Sequence, residues 1–69
     1  MNVVVNGEDR ALQQGATVAD VVRSLDLAAE ARGVAVALDG EVVTRGAWPS
    51  TVVSEGARIE VLGAIGGGR

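Results

Sequence analysis

Thr17-Val18-Ala19-Asp20-Val21-Val22-Arg23-Ser24-Leu25 carries the helical period of this chain. Val18, Val21, Val22 and Leu25 recur at i, i+3, i+4 and i+7, which draws one apolar stripe. Thr17 followed by Asp20 is a capping-box pattern. The hydroxyl serves a free amide of the first turn, and the acid lies near the positive helix end. Valine has low intrinsic helix propensity, so tertiary packing must hold this segment. The spacing predicts a helix over residues 16–25 that ends near Asp26, with residues 28–33 a loop or a frayed extra turn.

Outward from that helix the chain reads as strands on both sides. Met1-Asn2-Val3-Val4-Val5-Asn6 is β-branched and stops at Asn6-Gly7, the strongest short hairpin signal, because a type I′ turn needs positive φ at both central residues. The return strand is expected at Arg10-Ala11-Leu12, closed by the polar Gln13-Gln14-Gly15. Past the helix, Val34-Ala35-Val36-Ala37-Leu38 alternates large and small and stops at Asp39-Gly40, a second hairpin turn into Glu41-Val42-Val43. Arg45-Gly46-Ala47-Trp48-Pro49 breaks the pattern, since the proline forbids helix at Trp48 and offers no amide to a ladder. Val52-Val53 is expected to make a brief apolar contact before Glu55-Gly56 turns again. Arg58-Ile59-Glu60-Val61-Leu62 alternates polar and apolar, a final strand with Ile59 and Val61 inward.

One helix and four or five short strands predict an α+β fold, a mixed sheet with a single helix across one face. If the last strand lies beside the first, the fold is a β-grasp. The element order alone would equally allow a ferredoxin-like fragment.

Composition narrows the chemistry. A chain of 69 residues allows one small domain. With no Cys and no His, it lacks disulfides, thiolate nucleophiles, imidazole bases and any ordinary zinc site. Its 48% apolar content is nearly all Val, Ala, Leu and Ile, and Trp48 is the sole ring. Six Arg, no Lys and nine acidic residues give a net charge of −3, the wrong sign for a phosphate-backbone binder, and one ring makes no stacking platform. No nucleic-acid partner is expected. No apolar run approaches the ~18 residues of a membrane span, and Met1 leads straight into a strand pattern, so no membrane partner and a cytoplasmic location are expected.

The chain closes on Gly63-Ala64-Ile65-Gly66-Gly67-Gly68-Arg69. Three consecutive glycines continue a strand only at a loss, because glycine surrenders the most backbone entropy and packs nothing. The expected division is a folded domain over residues 1–64 and a flexible glycine-rich tail over residues 65–69. A bland reading makes the tail a frayed terminus or a cloning remnant. A functional one makes it a thread for a narrow channel in a partner, where a terminal glycine carboxylate is the least hindered acyl group. A phosphate-cradling loop fails, since no helix and no Lys-Ser/Thr follow the glycines.

Taken in order, several stretches resemble one family. They are Met1-Asn2-Val3-Val4-Val5-Asn6-Gly7-Glu8, the helix from Thr17 to Leu25, the run from Gly33 to Val43, Arg45 with Trp48, and Glu55-Gly56-Ala57-Arg58-Ile59-Glu60-Val61-Leu62 leading to Gly68. Together they resemble the ThiS-type sulfur carrier proteins of thiamine thiazole biosynthesis, a ubiquitin-like β-grasp group, over nearly the whole chain. The resemblance implies a protein co-substrate and not an enzyme. It binds no cofactor and no metal itself. An E1-like, ThiF-like adenylating enzyme would use ATP and Mg²⁺ to convert the carboxylate of Gly68 to an acyl adenylate. Sulfur from a cysteine desulfurase or related persulfide donor would displace AMP and leave a thiocarboxylate, which thiazole synthase, ThiG, would accept. Gly66, Gly67 and Gly68 would form the partner-binding tail.

Two departures stand out. Members normally end at the glycine, whereas Arg69 follows Gly68 here, so its loss is expected before activation unless it is an artefact of preparation. Many members have proline where this chain has Thr44. Relatives serving other pathways carry extra residues that a protease trims, which keeps molybdopterin, cysteine or secondary-metabolite routes open as alternatives. A non-catalytic ubiquitin-like binding module is a further one.

Other residues have plainer expected roles. Leu62, Ala64 and Ile65 could form an apolar docking patch, or they could cover a sheet edge. Glu55 and Glu60 could meet basic residues of a partner. Trp48 reads as a plug beside Pro49, with an interface role as the alternative; Arg45 reads as a solvated loop charge, with a partner's carboxylate as the alternative; and Asp20 reads as a helix-start residue. The absence of Lys leaves no side-chain amine to attack an activated glycine, although arginine-biased codon usage explains it as well.

Overall fold

The structure is a computed structural model that describes residues 1–25 and 33–63. Both hairpin turns take the backbone their residues favour. Asn6 and Gly7 have φ of 52° and 83°, and Asp39 and Gly40 have 51° and 88°, the paired left-handed conformations of tight hairpins. The first joins β1 (Asn2–Val5) to β2 (Glu8–Ala11), and the second joins β3 (Ala35–Leu38) to β4 (Glu41–Val43). β2 starts two residues earlier than expected and stops at Ala11. A two-residue turn sets Val5 directly opposite Glu8, so the register draws polar Glu8 and Asp9 into the ladder of an edge strand.

Helix α1 (Val18–Ser24) starts where the capping box places it. The Asp20 amide donates to Thr17 Oγ1 at 3.3 Å, and the Thr17 amide donates back to Asp20 Oδ2 at 2.9 Å. Ala16, expected inside the helix, precedes it and accepts the Val53 amide at 2.9 Å. The expected helix end near Asp26 and the loop over residues 28–33 fall outside the described residues, apart from Gly33.

The segment around Trp48 corrects the expectation that proline would forbid a helix. Arg45–Ser50 is a short 3-10 helix with Pro49 inside it. A 3-10 turn needs only i→i+3 bonds, supplied by the Ala47 amide to the Thr44 carbonyl at 2.9 Å and the Thr51 amide to the Trp48 carbonyl at 3.4 Å. Pro49 forgoes one bond, and its fixed φ suits the turn.

β5 (Arg58–Leu62) lies at the centre of the five-stranded sheet, whose order is β2-β1-β5-β3-β4. It runs parallel to β1 and antiparallel to β3. That parallel pairing of the first and last strands makes the fold a β-grasp and removes the ferredoxin-like alternative. Val3, Val5, Val36, Ile59 and Val61 join Val18 and Val21 of α1, Val53 and Trp48 in one buried core. The Val52-Val53 pair splits: Val53 is buried and Val52 is 58% exposed.

The helix start carries a testable pH response. Asp20 is held below the ordinary carboxylate range, first by the Thr17 backbone amide, against a weaker opposing effect of desolvation, and then by the Thr17 hydroxyl and Arg23. A lowered folded-state pKa stabilises the fold above the unfolded value of about 4, and that contribution disappears as pH falls through the folded value. The Thr17→Ala protein is expected to lose about 1 kcal/mol at neutral pH. In an acid titration of the urea midpoint, Asp20→Asn should decline less steeply below about pH 4 than the parent protein does. Parallel curves would remove Asp20 from the acid response.

Candidate docking face and carrier terminus

Strand register decides which side chains stay uncovered. Residues directly opposite across a ladder share a face. Val4 pairs with Asp9 and with Arg58, Ala37 pairs with Glu60 and with Val42, and Ala35 pairs with Leu62. These residues occupy the sheet face opposite the core. Val42 and Leu62 are 78% and 69% exposed, on either side of the small Ala35 and Ala37. An open groove lined by Val4, Asn6, Gly7, Arg58, Glu60 and Leu62 runs along this face. The arrangement is an apolar strip with charges at its side, a surface suited to binding another protein.

The strip ends where the chain leaves the sheet. Because β5 is parallel to β1, its last residues emerge beside the Asn6-Gly7 turn. β1 pairs no further than Val5 with Ile59, so Glu60, Val61 and Leu62 run on past its end. There the Val61 amide donates to Asn6 Oδ1 at 2.8 Å, and Asn6 Nδ2 donates to the Val61 carbonyl at 3.2 Å. On the other flank β3 pairs with the same stretch.

The expected site residues divide clearly. Leu62 and Glu60 lie together on the open face. Glu55 is at the far end of the sheet, where its Oε1 accepts the Asn2 amide at 3.1 Å. Ala64, Ile65, Gly66, Gly67, Gly68 and Arg69 lie outside the described residues, and with them the tail and two members of the expected patch. Trp48 is a plug, 7% exposed, with Nε1 donating to the Val43 carbonyl at 2.9 Å. Arg45 does more than solvate its loop: its guanidinium carbon sits 5.2 Å from the Trp48 ring centroid, a cation–π distance. Asp20 serves the helix start, as its position in the capping box implies.

Sequence reading missed Val4, Val42 and Asn6. The first two look like their inward-facing neighbours, buried Val3 and partly buried Val43, until register separates them. Asn6 gave a signal, its Asn-Gly turn, which accounted for its backbone and concealed its side chain.

A β-grasp whose central strand leads directly into a glycine-rich terminus belongs to the ubiquitin-like carrier class. The ThiS family profile matches residues 3–68. The crystal structure of a thiamine biosynthesis protein (ThiS) from Geobacter metallireducens is 36% identical, with a TM-score of 0.79 over 99% of this chain and 100% of that one. An NMR solution structure of a thiamine biosynthesis protein from the same organism is 35% identical, with a TM-score of 0.77 over 100% of this chain and 90% of that one. A thiazole synthase of Paramagnetospirillum magneticum is 32% identical over 68 residues, 99% of this chain and 20% of that protein, so the chain spans a fifth of that relative's length. The chain belongs to the ThiS family of ubiquitin-like sulfur carriers. Among the described residues no helix is long and apolar enough to cross a membrane.

Proposed function

We propose that this chain carries sulfur for thiazole formation in thiamine biosynthesis, as a thiocarboxylate on Gly68 exposed by loss of Arg69. The observation that carries the reading is the placement of β5, the central strand, which brings exposed Leu62 to the open face immediately before the glycine segment. The ThiS relatives support the same role.

A carboxylate is a poor electrophile at physiological pH. Attack of its oxygen on the α-phosphate of ATP expels pyrophosphate and gives an acyl adenylate with AMP as leaving group. The partner's Mg²⁺ stabilises the charge on the phosphates. The terminal sulfur of a persulfide donor then attacks the carbonyl carbon and expels AMP, and a thiol reductant cleaves the S–S bond of the resulting acyl disulfide to release the thiocarboxylate and the donor thiol. ATP and Mg²⁺ belong to the ThiF-like adenylating enzyme, and the carrier supplies the acyl group. With no Lys in the chain, no side-chain amine competes for that activated carbon. The strip of Val4, Val42 and Leu62 docks the adenylating enzyme, and Asp9 and Glu60 face its basic residues. Thiazole synthase is the proposed acceptor, a pairing supported by the relative of that name that contains a stretch similar to this whole chain.

Intact mass tests the reading. The chain ending at Gly68, incubated with adenylating enzyme, ATP, Mg²⁺, a persulfide donor and a thiol reductant, is expected to exchange one oxygen for one sulfur. The chain ending at Arg69 is expected to remain unchanged. Addition of thiazole synthase and its other substrates should restore the oxygen form. No sulfur uptake with an enzyme active on its own carrier would sink the proposal, and uptake with Arg69 retained would remove Gly68 as the acyl residue. Discharge only by molybdopterin-forming enzymes would transfer the carrier to that pathway.

A further inference from the structure

The parallel ladder between β1 and β5 continues in a side chain. The Val4 amide donates to the Ala57 carbonyl and the Asn6 amide to the Ile59 carbonyl, both at 2.9 Å. The next rung would need backbone from a β1 that has already turned away through left-handed Asn6 and Gly7. The Asn6 carboxamide stands in for that missing peptide. Its Oδ1 accepts the Val61 amide and its Nδ2 donates to the Val61 carbonyl, 55 residues along the chain. One amide group thus presents both the acceptor and the donor of a peptide unit.

A second turn residue grips the other end of the same strand. Asp39 Oδ1 accepts the Arg58 amide at 2.9 Å, and the Asp39 amide donates to the Arg58 carbonyl at 2.8 Å. β5 is therefore held at its entry by Asp39 and near its exit by Asn6. Only the exit leads to the acyl-bearing terminus. Val61 is two residues before Gly63, where the glycine-containing segment begins.

We propose that Asn6 is a positioning residue for sulfur transfer: by extending the β1 ladder to Val61, it fixes where the carrier's terminal segment leaves the sheet. The proposal rests on the carrier reading above. A pre-set point of departure leaves less chain to be ordered when the terminus enters a partner's site, so its loss weakens productive docking more than the chemical step.

Asn6→Gly keeps a residue that accepts the left-handed turn while deleting both side-chain bonds. Asp39→Gly deletes the side-chain bond of the grip at the far end of β5, leaves its backbone bond, and serves as the structural comparison. In chains ending at Gly68, Asn6→Gly is expected to speed hydrogen exchange at the Val61 amide by about tenfold relative to the Ile59 amide. It should raise KM for the carrier in adenylation by about tenfold with kcat little changed, as expected for lost binding order. Asp39→Gly should leave KM within about twofold, whatever it does to thermal stability. Unchanged Val61 exchange in Asn6→Gly, or an equal rise in KM for both variants, would overturn the role of Asn6. Failure of the unsubstituted chain to be adenylated by an active enzyme would instead overturn the carrier reading, and the inference with it.

Discussion

Ile59→Ala is expected to lower the urea midpoint by about 3 M. Ile59 is 0% exposed on the central strand, with Val5 opposite it on one flank and Leu38 on the other. Truncating a fully buried Ile costs about 3–4 kcal/mol, the transfer of the lost methylenes plus the cavity they leave. A 69-residue domain has roughly 3–10 kcal/mol in all. At an m-value of about 1 kcal/mol/M, the loss translates into the stated shift. Trp48, buried and the only ring, reports the transition by fluorescence. Ile59→Val should cost only about 1 kcal/mol. A shift below about 1 M for Ile59→Ala would mean that β5 is not the packing centre of the fold.

The second large effect is functional. Leu62→Glu is expected to raise KM for adenylation by roughly 30-fold, about 2 kcal/mol of lost docking energy for an apolar residue at an interface. kcat should stay near its original value, because the proposed role of Leu62 is to bind the partner, away from the reacting carbonyl. At 69% exposure Leu62 contributes little to the core, so the urea midpoint should move by no more than about 0.5 M. Val52→Glu provides the contrast: Val52 is also exposed, but it bridges to Thr17 beside the helix, away from the open face. Its KM should not change. Equal KM values for the Leu62 and Val52 variants would move the docking surface elsewhere on the molecule.

Both hairpins were legible because a left-handed pair of turn residues is a local requirement, met by Asn6-Gly7 and Asp39-Gly40 before any tertiary contact forms. The helix start was legible for the same reason. The Thr17–Asp20 exchange spans three residues and depends on nothing outside them. β5 announced its buried face through strict alternation. The beginning of β2 was not legible. Glu8 and Asp9 are polar, and they enter the ladder through the register that the turn imposes. The 3-10 helix was hidden because proline argues against an α-helix, while a tighter turn tolerates it.

The candidate site divides on the same line. Leu62 and Glu60 were visible as one face of an alternating strand, but Val4 and Val42 became part of it only once cross-strand pairs were known. The amino-acid order therefore determined the turns, the helix cap, the inward side of the last strand and the glycine ending, each through forces acting within a few residues. Tertiary structure decided that the first and last strands lie parallel, that two valines face outward, and that Asn6 reaches Val61. Those outcomes depend on contacts between residues tens of positions apart, whose closure entropy is offset only when the whole sheet packs against the helix.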